Sequence, residues 1–390
     1  MNYEPQVKEL SHRHRKIFFW ILLVLFLVTL PLMIFYTSGY RLNLDNTEDP
    51  IIKTGGIYLT TDNLQIEVFL DGKQIKKPRL FRSAYYIQNI ETGLHHVVVQ
   101  HKELNTWVKD LPVNPQMVTE VTSFNMPKVP HLRPVTEYVT ATGTPVYSIV
   151  ASTTEIFTKA TTTEPVLFVK NLAFGKFKKY QKNKEYEYVE SLFASSSTSS
   201  RLILNQPTVS PTRFRFAATD NKTAKEEKNI IKEAVERGGM RLLPVQNELY
   251  AVWKGPVEDI PYYFCVLGGE ASTTAKLYGK HVAKQIQELS ESTTTPLIAY
   301  GNQICRPEIK LDHLRQNIHY YDFFPGQADL VLLQLDDGVY VTEIDDRSWQ
   351  NVQLLYPGKS KNVRVMVDKG RIYLKDGNYY FEIITNLETL

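Results

Sequence analysis

At 390 residues the chain is long enough for several domains, and its 45 Lys and Arg against 42 Asp and Glu leave a formal charge of only +3. The basic residues are scattered instead of clustered, which excludes the basic stripe that a nucleic-acid-binding surface needs. With 23 Tyr and 18 Phe among many Val, Ile and Thr, the inventory is β-rich, and a mainly β fold class is expected.

Residues 1–16 form a basic tail ending in His12, Arg13, His14, Arg15 and Lys16. Ile17 to Phe35 follows without a charge and reads as a single transmembrane helix. At 1.5 Å per residue it reaches roughly 28 Å, close to the hydrocarbon thickness of a bilayer, and its insertion is favourable by something on the order of 5 kcal/mol. Thr29 and Pro31 are no obstacle, because Thr bonds back to its own helix and Pro near a helix end frees few backbone groups. Lys8, Arg13, Arg15 and Lys16 before the span outweigh Arg41, set among Asp45, Glu48 and Asp49 after it. The positive-inside bias therefore puts the N-terminus in the cytoplasm and the rest of the chain outside. The lipid bilayer is the first expected partner, met through Ile17 to Phe35. The competing reading is a cleaved secretory signal with Thr37-Ser38-Gly39 as its small-residue site. No Cys stands at the end of the span, which excludes a lipoprotein anchor.

Residues 36–55 are expected to be a juxtamembrane tether, and from Gly56 the pattern is that of strands. Ile66, Val68 and Leu70 alternate onto one face, and Asp71-Gly72 is a strong two-residue hairpin signal. Tyr86 to Ile90 and His95 to Gln100 form a second pair across Thr92-Gly93. Trp107 to Val113 and Val118 to Phe124 complete the set, so residues 56–125 are expected to form a small β-sandwich. The succession FYTSGYRL after a span, KTGGIYL, a strand ending LDGK, the strand Gly93 to Val99 and a Trp107-x-Lys109 strand resembles the membrane-anchored PEGA-domain proteins of bacteria over Phe35 to Thr122. The Pro-Glu-Gly-Ala tetrapeptide itself is absent, and Thr61-Asp62-Asn63-Leu64-Gln65 stands where it would fall. The resemblance implies a surface-exposed sandwich used for attachment or spacing.

Residues 126–134, MPKVPHLRP, read as a Pro-rich, semi-rigid linker. In residues 135–390 short apolar strands recur at Val146 to Ile149, Val166 to Val169, Leu202 to Leu204, Leu249 to Trp253, Tyr262 to Leu267 and Leu297 to Tyr300. Two helices are expected. Asn221 to Arg237 has early acids, an apolar stripe of Ile230, Ile231, Ala234 and Val235, and Gly238-Gly239 as a stop. Thr274 to Leu289 places Leu277, Val282, Ile286 and Leu289 at helical spacing around Gly279. Near the end, DLVLLQLDDGVYVTEID pairs two strands across Asp337-Gly338, and RVMVDKGRIYLKDGNYYFEI repeats the device across Lys369-Gly370 and Asp376-Gly377. Strand, tight turn, strand at a spacing of about 40 residues is the rhythm of propeller blades. The segment YYDFFPGQADLVLLQLDDGVYVTEID resembles the blades of WD40-like and TolB-like proteins. This implies a β-propeller-like ectodomain carrying one or two inserted helices, with room for about six blades between Val129 and Leu390.

Cys265 and Cys305 are the two cysteines, both on the side read as external. An even pair in an oxidising compartment points to a disulfide, with two unrelated buried thiols as the alternative. Glu343, Asp345 and Asp346 form an acidic cluster suited to a glycosidase pair or a cation. The plainer reading is a blade turn whose acids are solvated or paired to Arg347. His95, His96 and His101 read as surface residues, because His95 and His101 lie about 20 Å apart along one strand face. Gly-rich phosphate loops, Gly-x-Ser-x-Gly, HExxH and CxxC do not occur, so no catalytic residue, cofactor or metal ligand is expected. Asn221-Lys222-Thr223 matches a glycosylation sequon and reads as a helix cap.

The function expected from these features is that of a non-catalytic, single-pass envelope protein. Its sandwich would space a propeller-like ectodomain from the membrane for an envelope glycan, peptidoglycan or protein partner. The alternative is a glycan-directed envelope hydrolase built on a propeller, with Glu343, Asp345 or Asp346 in the site. A pocket holding two carboxylates about 5 to 10 Å apart would favour the enzyme.

Overall fold

A computed structural model describes residues 11–42, 51–62, 65–76, 84–135, 137–140, 145–146, 149–152, 166–169, 177–181, 184–195, 235–267, 271–291, 297–300, 303–359, 361–377 and 379–385. The chain is mainly β with one apolar N-terminal helix, and its sheets are open. It divides into two compact units: residues 1–60, 77–94 and 112–121, and residues 61–76, 95–111 and 122–390.

The first unit starts with α1, His12–Thr37, longer at both ends than Ile17 to Phe35. None of its residues is buried, and its mean hydropathy reaches 2.9. Thr29 does bond back, from Oγ1 to Phe26 O at 3.4 Å. A strand follows almost at once. β1, Tyr40–Leu42, pairs antiparallel with the start of β2, Ile51–Thr61, within the stretch expected to be a tether. Three residues are too few to show a period of two, so this pairing left no trace in the pattern. β2 also pairs with β5, Ala84–Glu91, and β8, Val118–Ser123. Ile57, Leu59, Tyr85 and Val121 are buried in this sheet, while Tyr58 and Tyr86 face each other on its exposed side with ring centroids 6.3 Å apart. Gly55 is required here, since a Cβ would stand 2.4 Å from Asn114 O and 2.8 Å from Met117 O.

Most of a second sheet, in the order β4-β3-β6-β7 (Lys73–Ile75, Glu67–Leu70, Gly93–Gln100, Trp107–Val113), belongs to the second unit. Asp71-Gly72 turns β3 into β4 as expected, with φ of 49° and 77°. β9, His131–Pro134, lies inside the expected linker but is a sheet strand. It pairs with β28, Tyr379–Ile384, in a six-stranded sheet. The order is β13-β12-β9-β28-β27-β26, with β13 Val166–Val169, β12 Ile149–Ser152, β27 Arg371–Asp376 and β26 Val363–Asp368. A smaller sheet joins β11, β10 and β14 (Pro145–Val146, Glu137–Thr140, Phe177–Gln181). α2, Lys184–Ser195, lays Tyr186, Val189 and Phe193 against Tyr373 and Tyr380. Ala194 and Ser195, at the start of a Ser-rich run, are its last residues.

The unit also holds two four-stranded antiparallel sheets. One is β15-β16-β17-β21 (Val235–Arg237, Met240–Val245, Glu248–Trp253, Glu308–Lys310), and the other is β22-β23-β24-β25 (Tyr320–Phe323, Leu330–Gln334, Gly338–Glu343, Val352–Pro357). Val235 to Arg237 is thus a strand and not the end of a helix, whereas residues 221–234 and the expected strand at 202–204 lie outside the described residues. Gly238-Gly239, read as a helix stop, is instead the β15–β16 turn with φ of 56° and 78°. The expected helix around Thr274 to Leu289 is α3, Ala271–Ser290, interrupted at Gly279 where φ is 84°. The hairpins at Asp337-Gly338, Lys369-Gly370 and Asp376-Gly377 all form, the first in the β22–β25 sheet and the other two in the six-stranded sheet. Both faces of β23 are buried, as its unbroken apolar run requires.

Buried and half-buried amide side chains fasten these open sheets to neighbouring backbone. Gln334 donates from Nε2 to Val363 O (2.7 Å) and accepts from Val365 N (3.1 Å). Gln353 does the same to Phe124 O (3.1 Å) and Met126 N (2.7 Å). Asn351 holds Val108 through both its carbonyl and its N–H, at 3.0 and 3.3 Å. Each amide satisfies two backbone groups at once.

Candidate functional site

β24 ends at Glu343, and the chain continues through Ile344 to Asp345, Asp346 and Arg347. All four charged residues are buried, at 2–6% exposure; of the two states read from sequence, solvated or paired to Arg347, the structure excludes solvation and pairs Asp345 with Arg347. Their partners come from far along the chain. Trp107 and Lys109 alternate onto one face of β7 with Leu111, and all three are fully buried. Lys109 Nζ donates to Glu343 Oε1 (2.7 Å) and Asp345 O (2.6 Å), and lies 3.5 Å from Asp345 Oδ2. Trp107 Nε1 donates to Glu343 Oε2 (3.0 Å), and Asn351 gives Glu343 Oε1 both its backbone and its side-chain N–H at 2.8 Å.

Asp345 is gripped by Arg347, whose Nη2 and Nε reach its oxygens at 2.8 and 3.0 Å and whose backbone N–H adds a bond of 3.0 Å. The Arg347 guanidinium also stacks 4.8 Å over the Tyr262 ring. Asp346 pairs with Arg306, from Nη1 to Oδ2 at 2.8 Å and through Nη2 to Oδ1. Arg306 follows Cys305, and Cys265 and Cys305 are disulfide-bonded across β18 (Cys265–Leu267) and β20 (Gln303–Cys305). With β19, Ile298–Tyr300, these strands form the sheet on which Val266 meets Tyr278 and Val282 of α3.

Burial raises the proton affinity of Glu343, with Lys109 opposing it. Burial would raise Asp345 too, but Arg347 and Lys109 overcome it and hold that carboxyl far below its ordinary range. All three carboxylates are committed to interior partners, an arrangement that fastens elements together: removing one member strands a buried charge. A Lys on the apolar face of a Trp-x-Lys-x-Leu strand was the available signal for this partner. Arg306 carried none.

Several other charged groups pair nearer the surface. Arg133 binds Glu185 and Glu382 in a shallow open basin completed by Arg371 and Ile384, where charges of both signs neutralise one another. His95 and His96 contact Asp71 (2.7 Å) and Asp110 (2.6 Å). Among the described residues no group of His, Cys, Asp and Glu suited to a metal ion is found.

Comparison with protein-family models, curated proteins and solved structures finds no match. Fold and cluster define a class only: a mainly β chain with one apolar N-terminal helix, a disulfide and a buried ion-pair network.

Proposed function

We propose that the chain is a single-pass, membrane-anchored envelope protein whose extracytoplasmic β-rich part, a PEGA-like spacer followed by a propeller-like domain, binds or scaffolds an envelope glycan, peptidoglycan or protein partner. The observation that carries the reading is α1, which has no buried residue and is apolar enough to cross a bilayer. Aromatic residues bracket it, Phe19 and Trp20 near one end and Phe35 stacked on Tyr40 beyond the other, in keeping with interfacial belts. The Cys265–Cys305 disulfide fits an oxidising compartment.

Support for the propeller-like reading comes from successive sheets whose edge strands β15, β22 and β26 contact one another in order. β9 pairs with the final strand β28, as a ring-closing strand would. A binding role is favoured over the hydrolase alternative because Glu343, Asp345 and Asp346 are engaged by Lys109, Arg347 and Arg306. Protease added to intact cells tests the topology. It should degrade the C-terminal mass and spare residues 1–16, and protection of the C-terminal region would overturn the assignment.

A further inference from the structure

The step from α1 into β1 is a fixed joint. Gln116 donates from Nε2 to Ser38 O (2.7 Å), and Thr54 donates from N and Oγ1 to Gly39 O (2.8 and 2.9 Å). Gly39 takes φ of +78°, and a Cβ there would press on Thr54 O at 3.2 Å. The Arg41 guanidinium donates to Tyr36 O (2.6 Å), sits 4.3 Å from the Tyr36 ring centroid and reaches Asn89 Oδ1. The end of the helix is thereby tied to β1, β2, β5 and the segment before β8.

Leu42 and Ile51 are direct cross-strand partners at the far end of this short pairing, and they are 57% and 53% exposed. Leu42 is three residue steps from Gly39, about 10 Å of chain at most. The headgroup layer on each side of a bilayer is about 5–8 Å deep. Two exposed aliphatic side chains held so near the end of a span come within that layer where the strand leans away from the bilayer normal. The charge of Arg41 is turned to an aromatic ring and neutral oxygens, so the contact has no need of anionic lipid.

We propose that the Leu42–Ile51 pair, flanked by Tyr36 and Tyr40, is an apolar foot that rests in the lipid interface and sets the stance of the first sheet on the membrane. The proposal depends on the reading of α1 as a membrane span. Because both native cysteines are bonded, a single introduced Cys is the only free thiol. The full chain is reconstituted into phosphatidylcholine vesicles, with or without phosphatidylglycerol, carrying a spin label at Leu42→Cys, Ile51→Cys, Val24→Cys within α1 or Val257→Cys in the second unit. Collision with oxygen and with a water-soluble nickel chelate is then measured.

Labels at 42 and 51 are expected to lose chelate access and favour oxygen in both vesicle types, as the label at 24 does, while the label at 257 favours the chelate. Chelate-accessible labels at both 42 and 51, with 24 still in lipid, would overturn the foot and leave the span intact. A chelate-accessible label at 24 would overturn the span and the foot together. Protection at 42 and 51 only with phosphatidylglycerol would refute the apolar contact.

Discussion

Replacing Lys109 by Met gives the sharpest test of the buried network. Its Nζ lies 2.7 Å from Glu343 Oε1 and 2.6 Å from Asp345 O, with no exposed surface. The substitution fills similar volume but leaves Glu343 without its cation. Breaking a buried pair from one side costs about 3–5 kcal/mol. With a urea m-value of roughly 3 kcal/mol/M, the unfolding midpoint of the full chain in detergent should fall by about 1–1.7 M. Trp107, bonded to Glu343, makes fluorescence a local reporter. The double variant Lys109→Met/Glu343→Leu should recover part of the loss, because an apolar pair replaces the ionic one, although the Trp107 and Asn351 donors still lack their acceptor. Glu343 already has a raised proton affinity from burial. A carboxyl raised in the folded state binds more protons there than when unfolded, so its contribution to stability falls as pH rises through its folded pKa. Loss of Lys109 adds to that rise, and the variant's deficit should be smaller at pH 5 than at pH 7. A midpoint shift below about 0.3 M, or a double variant as weak as the sum of the singles, would refute the reasoning.

Three further outcomes are expected. Asp329 is pushed up to about 6, chiefly by burial and then by Asp62, Glu343 and Asp345, so it lowers stability as pH rises from its unfolded value through 6. Asp329→Asn should therefore raise stability by about 1–2 kcal/mol at pH 7 and leave it unchanged below pH 4, as read from urea midpoints across pH. The Cys265–Cys305 bond closes a separation of 40 residues. Replacing both cysteines by Ser should cost about 4 kcal/mol in the chain-entropy model, and alkylation without reductant should leave the native chain unmodified. Gln334→Leu removes the donor for Val363 O and the acceptor for Val365 N. The expected loss is about 2–4 kcal/mol, with faster hydrogen exchange at the Val365 amide; unchanged exchange there would show that the clamp does not protect that edge.

Features whose cause lies within a few residues were legible in the sequence. α1 follows from an uninterrupted apolar run, the Asp71-Gly72 and Asp376-Gly377 turns from their need for positive φ, and β23 from a run buried on both faces. The opposition of Cys265 and Cys305 followed from compartment and parity, with geometry supplying only the contact. α2 carries a local signal as well, since Tyr186, Val189 and Phe193 hold helical spacing behind Glu185 and Glu187, but the Ser run into which it leads has the composition of a loop. Gly238-Gly239 was ambiguous in principle, since the same positive φ ends a helix or turns a hairpin. What only the tertiary structure decided is pairing at long range. The identity of the strand beside β28, the conversion of a Pro-rich segment into β9, and the burial of Glu343, Asp345 and Asp346 all depend on residues more than 30 positions away. An acidic run reads the same in sequence whether it meets water or Lys109 and Arg306, because the energy that decides its environment belongs to partners that only the folded chain brings within hydrogen-bonding distance.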